Sequence, residues 1–136
     1  MIRAKLYLPR YGWTIYAYIA VHRYYRDEIL ERMMELRADE QTLVRADTNL
    51  SSGNLNNGLT FSNGRMRSTV WVTQLTSSAG EFFNSIVHEI RHLQQHIANE
   101  YGLDENSEEV CYLCGDIALK LFPYCKKLLC EHCREH

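Results

Sequence analysis

The sequence predicts an α+β fold in which a small, mostly antiparallel sheet packs on helices. Three observations lead there. Apolar residues alternate with period two near the N-terminus and again around Val70 and Val72. They recur with helical period in three other stretches. Clusters of turn residues separate the two kinds of segment.

Lys5 to Val21 reads as extended structure. Leu6 and Leu8 alternate with Lys5 and Tyr7, and Pro9-Arg10-Tyr11-Gly12 supplies a turn. Ile15, Ala17, Ile19 and Val21 then share one parity, opposite Tyr16 and Tyr18, so both faces have residues to cover. Arg23 to Ala38 is the first helix, with Tyr25, Ile29, Met33 and Leu36 on one side and Glu28 four residues before Arg32. Polar residues and three glycines mark Asp47 to Gly64 as a long loop. Asn63-Gly64 is a two-residue hairpin signal joining Leu59–Ser62 to a strand over Arg65–Leu75.

Ser78-Ala79-Gly80-Glu81 has the capping-box form and opens a helix near Ala79 that runs to Tyr101, where Gly102 stops it. A last helix begins over Asp104–Ser107, and Pro123 closes it near Phe122. The expectation is one domain over residues 1–122, with helices on one face of the sheet, and a Cys/His-rich tail over 123–136. His22 reads as a turn residue, Tyr24 and Tyr25 as helix packing, and Trp71 as a sheet anchor.

Composition narrows the function classes. A chain of 136 residues suits one domain with one modest core. Its 46% apolar and 24% charged residues, with only two prolines, are those of a globular chain. A formal net charge of −2 gives no electrostatic footprint for nucleic acid or for a membrane surface. The longest apolar stretch, Trp13–Val21, falls far short of the roughly 20 residues that cross a bilayer. It follows Arg3, Lys5 and Arg10 but is rich in tyrosine and lacks a small-residue cleavage site, so no signal peptide is expected. Five cysteines, all between Cys111 and Cys133, form an odd set that reads as reduced thiols or a metal site. A cytoplasmic protein is expected.

The chemistry centres on His88-Glu89-Ile90-Arg91-His92. On a helix, H-E-x-x-H sets two imidazoles one turn apart, where both grip one zinc ion while the glutamate reaches a water on it. Taking His88 as zero, His92 falls at about 40° and Glu89 at about 100°, whereas Phe82, Ile86, Ile90, Leu93 and Ile97 cluster between roughly 120° and 200°. The histidines therefore border the buried stripe. A catalytic zinc takes a third protein ligand. His96 lies about 12 Å from His88 along the axis, too far for the same ion, and reads as a rim residue. Glu108 and Glu109 on the next helix are the remaining candidates.

In these residues the chain resembles the gluzincin metallopeptidases, the thermolysin-like and SprT-like groups among them. These follow H-E-x-x-H with a glutamate ligand on the next helix. Glu108-Glu109-Val110-Cys111-Tyr112 is similar to their E-x-x-A-D string, with Cys111 in the small-residue slot and Tyr112 where aspartate would stand. The chain also looks like small zincin-like proteins of phages and bacterial mobile elements. The resemblance covers Thr69 to Leu121. It implies a minimal zincin-like fold, with His88, His92 and Glu108 as zinc ligands, Glu109 as alternative third ligand, and Glu89 as general base. Tyr112 would donate to a transition-state oxygen or pack beneath the site, and Asp116 would orient a histidine in place of the missing aspartate. The implied reaction is peptide-bond hydrolysis in a protein or peptide substrate, with Glu89 taking a proton and passing it to the leaving amine. A free edge of the strand Arg67–Leu75 would pair with that substrate. If phage-encoded, such a protein would work in the host cytoplasm.

The cysteines form a rival centre. Cys111-x2-Cys114 and Cys130-x2-Cys133 have the spacing of a four-cysteine structural zinc. A tail version would use Cys125, Cys130 and Cys133 with His132 or His136. The other reading makes Cys111 and Cys114 core residues and the tail thiols free. Two non-enzymatic functions stand beside the peptidase: a zinc-binding interaction module, and a phage structural or assembly protein that keeps a zincin fold.

Overall fold

The computed structural model describes residues 1–21, 25–52 and 58–136; the expectations for His22 and Tyr24 fall outside these. Strands β1 (Ile2–Leu8) and β2 (Trp13–Val21) form an antiparallel hairpin that pairs Leu8 with Trp13. Its turn closes with Tyr11 N donating to Leu8 O at 3.1 Å and with Gly12 at φ 60°, a conformation that glycine takes without Cβ strain. Helices α1 (Arg26–Glu35) and α2 (Glu40–Ser51) follow. Strands β3 (Leu59–Asn63) and β4 (Ser68–Gln74) make a second antiparallel hairpin. Then come α3 (Ala79–Tyr101), α4 (Glu108–Cys125), a 3-10 turn over Lys126–Leu129, and α5 (Glu131–Glu135).

The sheet order is β1-β2-β4-β3, and the two hairpins meet through a parallel β2–β4 pairing. The class is α+β, with a mixed sheet that is antiparallel at both flanks. Helices cover both faces of it, rather than one. Leu6, Leu8, Trp13, Ile15, Ile19 and Trp71 pack against Phe82, Ile90, Leu93 and Ile97 of α3 and Leu113, Ile117 and Leu121 of α4. On the opposite face Tyr18, Val21, Val70 and Val72 pack against Ile29, Met33 and Leu36 and against Ala46 and Leu50 of α2. All seven residues of β4 are buried between these layers.

The second face departs from the expected structure at two places. Helix α2 starts before the expected loop and occupies its first residues. Asp39 caps it, accepting from Thr42 N at 2.7 Å, but its apolar face is only Leu43, Ala46 and Leu50, diluted by polar neighbours. Val21 does not share the face of Ile15 and Ile19. A register shift between Tyr18 and Val21, with Ala20 at φ 60°, inserts a bulge that turns Val21 to the side of Tyr18.

Turn and helix ends differ in similar ways. The β3–β4 connection has four residues, Gly64 to Arg67, and the left-handed position is taken by Arg67 (φ 48°). Asn63 contributes through its side chain, accepting from Arg65 N at 3.0 Å and Met66 N at 3.4 Å. Pro123 lies inside α4, where the carbonyl it leaves unbonded belongs to the solvent-facing Leu119. The residues beyond it fold back on the core. Cys125 is buried, Glu131 Oε1 accepts from Ala79 N at 2.7 Å, and Arg134 donates to Leu128 O at 3.1 Å and to Thr76 O. No helix among the described residues is long and apolar enough to cross a membrane.

Candidate metal centre

The site is set by how α3 begins, ends and lies against β3. Ser78 caps its start, accepting from Glu81 N at 3.1 Å, and Gly102 at φ 63° ends it, both as the sequence implies. Thr60 touches Glu89, Ser62 touches His96, and Gly64 lies against Glu100, so α3 and β3 run in the same direction. Gly58 permits that approach. A Cβ there would stand 2.2 Å from Val72 O and 2.7 Å from Glu89 Cγ.

On this frame His88 Nε2 and His92 Nε2 come to 3.1 Å from each other. Two nitrogens on a tetrahedral zinc at 2.0–2.1 Å stand roughly 3.3 Å apart, so the pair fits one ion. Glu89 completes the cluster, with one ligand atom of each residue within 4.8 Å of the others. The residue is only 3% exposed, and its carboxylate accepts from Thr60 Oγ1 at 3.3 Å. Burial pushes its pKa above the usual carboxylate range, against the opposing pull of His88 and the Thr60 hydroxyl. Among the described residues this is the one convergence of three or more His, Cys, Asp or Glu side chains suited to a metal.

The second helix does not deliver a ligand. Glu108 is exposed and outside the cluster. Glu109 is engaged elsewhere, 3.4 Å from Arg10 Nη2 and accepting from Tyr11 OH at 3.3 Å. Tyr112 is 62% exposed, and Asp116 lies with Pro9 and Arg10. The reason is the flank on which α4 docks. It faces Phe83, Val87 and Ile90, about 120–180° round α3 from the midpoint of the two histidines. Glu105 fixes this arrangement through Arg91 Nη1 at 2.8 Å and Gln94 Nε2 at 2.7 Å. A glutamate sixteen residues past the second histidine has the right spacing and the wrong side.

Strand β4 does not offer a free edge either, because β2 and β3 take both. Among the described residues the free edge beside α3 belongs to β3. Its inward residues, Thr60 and Ser62, are the contacts that the sequence reading left out; their period-two alternation with Leu59 and Phe61 was the available signal. Ser62 Oγ is 2.7 Å from His96 Nδ1 and 2.7 Å from Thr69 Oγ1, which accepts from Trp13 Nε1 at 2.8 Å. Every group in this row is satisfied when each hydroxyl donates toward His96, which leaves the imidazole neutral. Burial, with the nearby His92, lowers the His96 pKa in the same sense.

The cysteines do not converge into the four-thiol set of the rival centre, and Cys111 is not the core residue of the other reading. Cys111 is exposed and Cys114 half-buried on α4. Cys125 is in the core, its thiol pushed up to about 11 by burial, while Cys130 and Cys133 are exposed, with Cys133 N donating to Cys130 Sγ at 3.5 Å.

No protein-family model, curated protein or solved structure matches the chain. The likeness to gluzincins therefore rests on the residues of the motif alone.

Proposed function

We propose that the chain is a zinc-dependent hydrolase of the H-E-x-x-H type that cleaves peptide bonds in a protein or peptide substrate in the cytoplasm. The observation that carries this reading is the meeting of His88 Nε2, His92 Nε2 and the Glu89 carboxylate on one helix face beside a strand edge that is unpaired among the described residues. His88 and His92 would hold the metal. Zinc, when bound, supplies Lewis acidity to water and to a scissile carbonyl. Glu89 takes a proton at its carboxylate and returns it to the leaving amine; its burial raises its proton affinity above that of an ordinary carboxylate. Thr60 orients that carboxylate through its hydroxyl. The free edge of β3 binds an extended backbone by strand addition.

The absence of Glu108 from the cluster favours a second reading, a zinc-binding interaction or phage assembly protein without catalysis. Glu89→Gln separates the two. In the enzyme it abolishes hydrolysis of a denatured-protein or peptide-library substrate while zinc stoichiometry stays that of the wild type. A zinc-loaded wild type that cleaves neither substrate overturns the hydrolase. His88→Ala is expected to release the zinc in either case, and Glu108→Gln to retain it.

A further inference from the structure

The tail carries a second arrangement of reactive groups that the metal centre does not use. Cys130 is the N-cap of α5, and its Sγ accepts from Cys133 N at 3.5 Å. Both residues are exposed. Residues three apart at a helix start have Cα atoms about 5 Å from each other, inside the Cα range that a disulfide spans. The residues interleaved with them clasp the metal helix. Glu131 holds Ala79 N, the first amide of α3, and Arg134 holds Thr76 O and Leu128 O.

The geometry points to a reversible dithiol–disulfide pair, Cys130 and Cys133, whose state controls the clasp on the N-terminus of α3. This inference stands independently of metal binding. The oxidant is a low-molecular-weight disulfide. Cys130 is the attacking sulfur: the amides of Cys133 and His132 favour its thiolate, whereas its own proximity holds Cys133 protonated. The Cys130 thiolate attacks one sulfur of the oxidant, breaking that S–S bond and expelling a thiolate that takes up a proton. Cys133 then gives its proton to solvent and attacks Cys130 Sγ, expelling the second thiolate. Two protein thiols lose two electrons and two protons, and the small disulfide becomes two thiols. A bridged sulfur no longer serves Cys133 N as a capping acceptor. The start of α5 loosens and carries Glu131 off Ala79.

The test treats the full chain with oxidised glutathione, alkylates it, and digests it with trypsin. Cleavage after Lys127 and Arg134 releases residues 128–134, which hold both thiols of the pair and no other cysteine. The expected product lacks two hydrogens, takes no alkyl group, and is restored by a reducing agent. Amide exchange in the first turn of α3 is expected to rise about fivefold on oxidation, the factor for losing one cap. Cys130→Ser keeps a capping oxygen, and both it and Cys133→Ser are expected to show no change. Alkylation of both thiols after oxidant treatment overturns the pair, as does a bridge from either one to Cys125 or to a second chain. A bridge formed without faster exchange in α3 overturns the control of the clasp.

Discussion

Glu89 occupies a position that a carboxylate ordinarily avoids, closed between a strand and its own helix with one hydroxyl for company. Thr60→Val removes that hydroxyl and leaves the volume nearly constant. The loss of the bond is expected to cost about 1 kcal/mol. It is also expected to raise the Glu89 pKa further, moving the acid limb of any pH–rate profile to higher pH. His96 gives a stability readout without any substrate. Burial holds its folded pKa below the ordinary 6.5, so the unfolded chain takes up the proton first as pH falls. The stabilising contribution is complete above 6.5 and drains away as pH drops through the lowered folded value. Urea midpoints for wild type are expected to decline below neutrality more steeply than those for His96→Gln, which keeps an acceptor for Ser62. Equal slopes would show that His96 does not titrate in that window. At this scale the motif was legible because its chemistry is local. Thr60 and Ser62 were not, because nothing in a strand announces which helix residue it will meet.

The element scale turns on the closeness of α3 and β3. A methyl at residue 58 meets the Val72 carbonyl and the inner part of Glu89, neither of which yields easily. Gly58→Ala is therefore expected to destabilise by about 1–3 kcal/mol, an overpacking cost. At residue 64 the methyl meets only the far end of the Glu100 side chain, and Gly64 is not at positive φ. Gly64→Ala is expected to stay within about 0.5 kcal/mol of wild type. Thermal denaturation of the two variants side by side checks the contrast, and equal losses would refute it. The ends of α3 could be read from sequence because caps are properties of three or four neighbouring residues. The docking of α4 could not. Its own apolar face was evident, yet which flank of α3 it meets is decided by distant partners such as Arg91–Glu105 and Tyr11–Glu109. One hidden choice of side removed the third ligand.

For the molecule as a whole, a single sheet supports two helical layers. Leu93 of α3 is fully buried in the layer that carries His88 and His92. Leu93→Ala is expected to cost about 2–5 kcal/mol through lost burial and the cavity it leaves. Separation of His88 and His92 from the sheet should follow, seen as weaker zinc retention in step with the stability loss. A variant that unfolds earlier yet holds zinc as tightly would show that the histidine pair needs only its helix. The α+β class could be read because two periodicities alternate along the chain. The second helical layer was missed because α2 shows the solvent mostly polar residues.

The parallel seam between β2 and β4 has a kinetic meaning. Each flanking hairpin closes over a short turn, Pro9–Gly12 in one and Gly64–Arg67 in the other, and such pairs zip on the microsecond scale. The seam must wait until residues 22–67 have been drawn into a closed loop, so it is the slowest contact to nucleate. Until it closes, β2 and β4 both present unsatisfied edges. Two nascent chains meeting at that moment find in each other the partner each lacks, and exchange of the N-terminal hairpin between copies is the misassembly to which this topology is most open.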